Sequence, residues 1–168
     1  ITQPSAITLT ASGTNPLCNG GNSSLSFSAT GGAGSFTYTV NGAAATSPAS
    51  VPAGTYTIIA TDANNCTAST TLTITQPTEV NTSVMLWNGV SCFGGSNAAA
   101  TVTASGGTTP YNFSWSPTGG TGGTASGLSA GTYTITVTDG NGCTKTTTLS
   151  ITQPSAITLT ASGTNPLC

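Results

Sequence analysis

Residues 130–154 read AGTYTITVTDGNGCTKTTTLSITQP, and residues 53–77 read AGTYTIIATDANNCTASTTLTITQP. In the later copy Tyr133, Ile135 and Val137 alternate with Thr132, Thr134, Thr136 and Thr138. A period of two sends the apolar set to one face and the hydroxyls to the other, which is the pattern of a half-buried strand. Asp139-Gly140-Asn141-Gly142 then interrupts the run with turn formers, and Leu149 and Ile151 resume the alternation. Two antiparallel strands with a turn between them are expected, once at each copy.

Working outward, the same reading recurs along the chain. Leu25, Phe27 and Ala29 alternate with Ser and Thr, as do Ala100, Val102 and Ala104 further on. Phe36, Tyr38 and Val40 correspond to Tyr111, Phe113 and Trp115, and Leu72 and Ile74 to Leu149 and Ile151. Each run is short, rich in β-branched and aromatic residues, and bounded by Gly-Gly, Asn-Gly or Pro-Ala-Gly. No window supports a helix. Six or seven short strands in about 75 residues predict an all-β chain of tandem immunoglobulin-like antiparallel β-sandwich modules in an extended array. A disordered Thr/Gly-rich stalk would lack the regularly spaced aromatics.

The repeat has two levels. Residues 1–18, ITQPSAITLTASGTNPLC, return letter for letter as 151–168, a period of 150. Inside that period Ile-Thr-Gln-Pro begins at Ile1, Ile74 and Ile151, and Cys18 answers Cys92, which answers Cys168. The expected modules are residues 1–76 and 77–153, with 154–168 the opening strand of the next. The window opens and closes in mid-repeat, so a longer array is expected. A proline at each junction fixes φ and removes a donor, which predicts short, stiff joints.

Charge is nearly absent. Asp62, Glu79, Asp139 and Lys145 are the charged residues, for a net charge of −2, and there is no His or Arg. That balance excludes a basic nucleic-acid surface, and no apolar run is long enough for a membrane span. The 37 threonines leave neutral hydroxyls and amides to make the solvated surface. Low charge also removes the repulsion that keeps chains apart, so contacts with neighbouring repeats and with other copies in a filament or bundle are expected. With one Lys and scattered acids there is nothing to perform acid–base work, so no catalytic residues, cofactor or metal site are expected.

Cysteines 18, 66, 92, 143 and 168 fall one near the start and one near the end of each module, the fifth opening the next. Regular pairing in a chain without His or a CxxC pair argues for disulfides in an oxidising, extracellular setting rather than for zinc. The simplest pairing is Cys18–Cys66 with Cys92–Cys143. With an odd number of strands the two cysteines of a module would lie at opposite ends, and Cys18 would meet Cys143 instead. Cys168 would pair outside the window. Asp62 and Asp139, in matching TDxNxC segments, read as Asx-type turns. Candidate glycan sites are the sequons at Asn22, Asn65, Asn81 and Asn112. Trp87 and Trp115 are candidate sugar-stacking positions, Trp115 reading more simply as core.

Cys92-x-Gly94, ASGGTTPYNFSWSPTGG, GLSAGTYTITVTDGNGCT and SITQP follow one another in the second module. This series resembles the SprB-type repeat of giant cell-surface adhesins of gliding and other Bacteroidota. The first module departs from it, with AGSFTYTVNG and NNC in the corresponding places. The resemblance implies export, display at the cell surface and a role in adhesion or gliding, with no catalytic residues. The function expected is a structural and adhesive repeat forming a stiff, disulfide-stabilised extracellular filament. The alternative is a carbohydrate-binding array using exposed aromatics and contacting surface glycans.

Overall fold

The period-two runs form strands wherever they find an antiparallel partner. A computed structural model describes residues 4–163. Its first strands are β1 (Thr8–Gly13), β2 (Ser23–Thr30), β3 (Thr37–Val40), β4 (Ala43–Ala44), β5 (Ala49–Val51), β6 (Gly54–Thr61) and β7 (Thr67–Ile74). Then come β8 (Asn81–Asn88), β9 (Ala98–Ser105), β10 (Asn112–Ser116), β11 (Thr124–Leu128), β12 (Gly131–Thr138) and β13 (Thr144–Ile151). No described residue is helical.

By contact the chain divides into two units. The first runs through Glu79 and also takes in Gly106–Thr108 and Asn141–Cys143; the second comprises Val80–Ser105, Thr109–Gly140 and the residues from Thr144 on. Within the first unit the sheets are β1-β2-β5 and β4-β3-β6-β7, and all pairings are antiparallel. Leu25, Phe27 and Val51 from one sheet join Tyr56, Ile58 and Ile74 from the other in a single buried cluster. Within the second unit the sheets are β11-β9-β8 and β10-β12-β13. Its buried side chains come from both, Ala100, Val102 and Leu128 from one and Trp115, Tyr133, Ile135 and Val137 from the other. The hydroxyl-bearing partners, such as Thr132 and Thr134, face out.

Two local devices repeat. Tyr56 donates its phenolic hydrogen to the carbonyl of Pro52 at 2.7 Å, and Tyr133 does the same to Ser129 at 3.1 Å. Each ties the first turn of a core strand to the corner before it, as tyrosine corners do in β-sandwiches. The Gly-Gly pairs serve close backbone approach. At Gly31 (φ +81°) a Cβ would run into the carbonyl of Ala6, and at Gly106 (φ +74°) into that of Glu79. The glycine after each donates its N–H to a neighbouring carbonyl, Gly32 to Ser5 at 3.0 Å and Gly107 to Thr78 at 2.9 Å.

Of the opening strand expected over 154–168, the part over 154–163 is not formed. Residues 154–163 carry no strand, and Ile157 and Leu159 are 98% and 92% exposed; residues 164–168, with Cys168, lie outside the described residues. Their copies form β1 because Leu9 and Ala11 pair with Ala29 and Phe27 of β2. Among the described residues no strand pairs with 158–163, and an apolar alternation without a partner strand buries nothing.

Ile135 is fully buried while its neighbour Thr134 faces solvent. Ile135→Ala is expected to cost about 2–5 kcal/mol in urea unfolding and Thr134→Ala about 0.5 kcal/mol or less. Gly106→Ala combines a left-handed φ with the clash at Glu79, so a loss of about 2 kcal/mol or more is expected in the same assay.

Candidate functional site

The groups able to make a covalent or specific contact lie in the loops at strand ends, and strand direction decides which loops can meet. In the first unit β2 begins at Ser23 opposite Val51, the last residue of β5, and β6 starts just beyond at Gly54. The loop carrying Cys18 sits at that end, where the Gly20 N–H donates to Gln76 Oε1 at 2.8 Å and the Thr75 N–H to Asn15 Oδ1 at 3.0 Å. From Gly54 the chain runs through all of β6 before turning at Asp62, so Cys66 lies at the opposite end. Eight extended residues span about 25 Å, whereas bridged cysteines have Cα atoms within about 7 Å. The strands of the second half of the chain repeat the arrangement. β9 begins at Ala98 opposite Leu128, and β12 runs from Gly131 to Thr138 before the turn that carries Cys143.

The expected bonds Cys18–Cys66 and Cys92–Cys143 are therefore replaced. Cys18 is bonded to Cys143, with Cα atoms 5.6 Å apart, and Cys66 and Cys92 are exposed free thiols. Both cysteines belong to the first contact unit, which takes in Asn141–Cys143. The Asn141 side chain donates to the Leu17 carbonyl at 3.1 Å and to Thr108 Oγ1 at 3.0 Å, holding the turn against the cysteine loop. The bond spans a sequence separation of 125, and closing so long a loop stabilises by about 5 kcal/mol in the chain-entropy picture.

The turn before Cys66 is organised by Asp62, which is 5% exposed. Its Oδ1 accepts the N–H groups of Asn64 and Cys66, and its Oδ2 that of Ala33, all at 2.9 Å. Burial pushes the carboxyl up, but the three backbone donors outweigh it and hold Asp62 below the ordinary aspartate range. Asp139, the counterpart in the second unit, is likewise buried. Among the described residues no group of three or more His, Cys, Asp or Glu side chains could hold a metal.

The two tryptophans part company. Trp115 is 5% exposed and donates its indole N–H to the Gly122 carbonyl at 2.9 Å, so it is core and not available for stacking on a sugar. Trp87 on β8 is 71% exposed, its indole N–H on Thr101 Oγ1 at 2.9 Å. Met85 (64%) and Phe93 (61%) are also exposed in this unit, a feature that alternation alone does not reveal. The sequon asparagines Asn22, Asn65, Asn81 and Asn112 are all exposed.

Reduction of the Cys18–Cys143 bond is expected to lower unfolding free energy by about 3–5 kcal/mol, read as the difference between urea curves with and without reductant. Asp62 contributes stability that is complete above the ordinary aspartate pKa of about 3.9 and is lost as the pH falls through its lower folded-state value. Asp62→Ala should lower Tm at neutral pH and flatten the acid limb of Tm against pH.

Among solved structures, the three N-terminal domains of the highly immunogenic outer capsid protein of bacteriophage RB49 align at 16% identity and TM-score 0.46, covering 88% of this chain and 59% of that one. The C-terminal 282-residue fragment of intimin, solved with the intimin-binding domain of the translocated intimin receptor, aligns at 12% identity and TM-score 0.48, covering 89% and 64%. The chain thus spans about 60% of the length of these two structures. The fibronectin(III)-like modules of CbhA from Clostridium thermocellum align at 11% identity and TM-score 0.29, covering 86% and 95%. A comparison with curated proteins finds no match. The family model for the SprB repeat matches residues 89–121, which include Cys92, Gly94 and the GGTTPYNFSWSPTGG stretch, while the GTYTITVTDGNGCT and SITQP motifs lie past the matched segment. Residues 89–121 of this chain are thus similar to the SprB repeat.

Proposed function

We infer that the chain is a structural and adhesive tandem repeat of a very large secreted cell-surface protein, and that it builds a stiff, disulfide-stabilised extracellular filament or stalk. The observation that carries this reading is the SprB match at 89–121 within a chain whose AGTYT and ITQP motifs recur in both halves. Residues 1–76 and 77–153 are the immunoglobulin-like repeating units of the array, and 154–168 opens the next. The mechanism is mechanical. Repetition gives reach, Pro-marked joints give stiffness, and the bond from Cys18 to Cys143 limits how far the chain can be drawn out under load. Neighbouring repeats of the same chain are the first partners, and other copies or surface glycans are further ones. The exposed sequons at Asn22, Asn65, Asn81 and Asn112 are positions for attached sugars, and display at the cell surface serves adhesion or gliding.

The test is electron microscopy of the chain lengthened by further copies of residues 19–168. A rod that grows by about 35–40 Å for each added module is expected. Collapsed particles whose length does not follow copy number would sink the filament reading.

A second reading is favoured by one observation, the exposure of Trp87. A carbohydrate-binding array would use that indole as a stacking face. Polysaccharide titration followed by tryptophan fluorescence separates the two. Saturable quenching that Trp87→Ala abolishes supports the binding array, and an unchanged spectrum removes it.

A further inference from the structure

Cys66 and Cys92 are the repeat counterparts of the two cysteines that are already bonded. The loop of Cys92 copies that of Cys18. Gly21 donates its N–H to the Cys18 carbonyl at 3.1 Å, and Gly95 donates to Cys92 at 3.0 Å. Gly20 donates to Gln76 Oε1 at 2.8 Å, and Gly94 donates to Gln153 Oε1 at 2.8 Å. The glycines themselves share a left-handed conformation, φ +74° at Gly20 and +72° at Gly94. The turn of Cys66 copies that of Cys143 in the same way. Thr61 pairs with Thr67 as Thr138 pairs with Thr144, and the residue before each cysteine is left-handed, Asn65 at φ 64° and Gly142 at φ 84°. Asn64 stands where Asn141 stands.

Within one repeat the two cysteines sit at opposite ends of an eight-residue strand, so neither can satisfy the other. We propose that Cys92 and Cys66 are the two open halves of the same cross-link, and that along the array the first cysteine of every repeat bonds the second cysteine of the repeat that follows it. Cys18 with Cys143 is one rung. Cys92 takes the Cys66 position of the next 150-residue period, and the Cys66 of this window takes the Cys92 position of the period before. Cys168, in a copy of the Cys18 sequence, begins the following rung. Every cysteine of a continuing array is then used once, and successive rungs overlap so that no junction depends on a single peptide strand. The partner is the neighbouring repeat of the same chain. Each rung forms by thiol–disulfide exchange with an external disulfide donor. One cysteine thiolate attacks the donor and releases one thiol, the second cysteine attacks the mixed disulfide and releases the other, and the two protein thiols are oxidised as the donor is reduced.

This inference rests on the tandem-array reading, and its test is separable from the test of that reading. The chain is lengthened by one further copy of residues 19–168, oxidised with a mixture of oxidised and reduced glutathione, alkylated, and mapped by mass spectrometry without reduction. In the first copy Cys92 should be protected from alkylation and Cys66 modified. Cys66→Ser in the second copy should expose the first-copy Cys92 to full alkylation, whereas Cys66→Ser in the first copy should leave it protected. A first-copy Cys92 that remains alkylated in the unsubstituted chain overturns the ladder, even if microscopy shows rods. A bond from Cys92 to a cysteine of its own copy, or disulfide-linked dimers on a non-reducing gel in place of the intrachain bond, overturns it equally. Protection that responds only to the second-copy substitution establishes the ladder, whatever shape the array takes.

Discussion

Strand direction is the constraint on which the covalent architecture depends. Because β6 runs its full length between Gly54 and the turn at Asp62, the two cysteine-bearing loops of one module face opposite ways. No side-chain adjustment brings Cys18 to Cys66 over that span. The bond must therefore go to another loop, and Cys143 is the partner found. The local devices serve that placement. The tyrosine corners fix where β6 and β12 start, and Asp62 fixes the turn at which β6 ends, so the cysteine positions follow from a rigid frame rather than from flexible loops.

The near absence of charge shapes the rest of the surface. Cross-strand hydroxyl pairs link neighbouring strands: Thr55 with Thr73 at 3.1 Å, Thr101 with Thr124 at 3.1 Å and Thr10 with Ser28 at 3.0 Å. Such pairs are individually weak, but they respond little to salt or pH. Asp62, one of two buried acids, is held by backbone donors.

Much of this was legible in the residues. Alternation at Tyr133, Ile135 and Val137 located a core strand and its solvent face, because period two is a purely local property. The Asp62 turn was legible for the same reason. The cysteine pairing was not, since it turns on the direction in which each strand runs. Five strands separate Cys18 from Cys66 and four separate Cys92 from Cys143, yet both pairs end apart because the chain returns through the irregular segment 117–123 between β10 and β11. Trp115 and Trp87 show the other limit. Both are indoles in strand segments, yet one fills the core and the other faces solvent, because burial depends on which sheet lies opposite. Residues 154–163 show it again. They repeat the β1 sequence, yet form no strand without a β2 to pair with.

The most direct test of the account is the cysteine connectivity of this 168-residue chain itself, read by non-reducing proteolysis and mass spectrometry after alkylation of free thiols. The account predicts a peptide pair joining Cys18 to Cys143, with Cys66 and Cys92 both alkylated. A Cys18–Cys66 pair would contradict it, because that bond requires both cysteines at one end of the module and hence a different strand order.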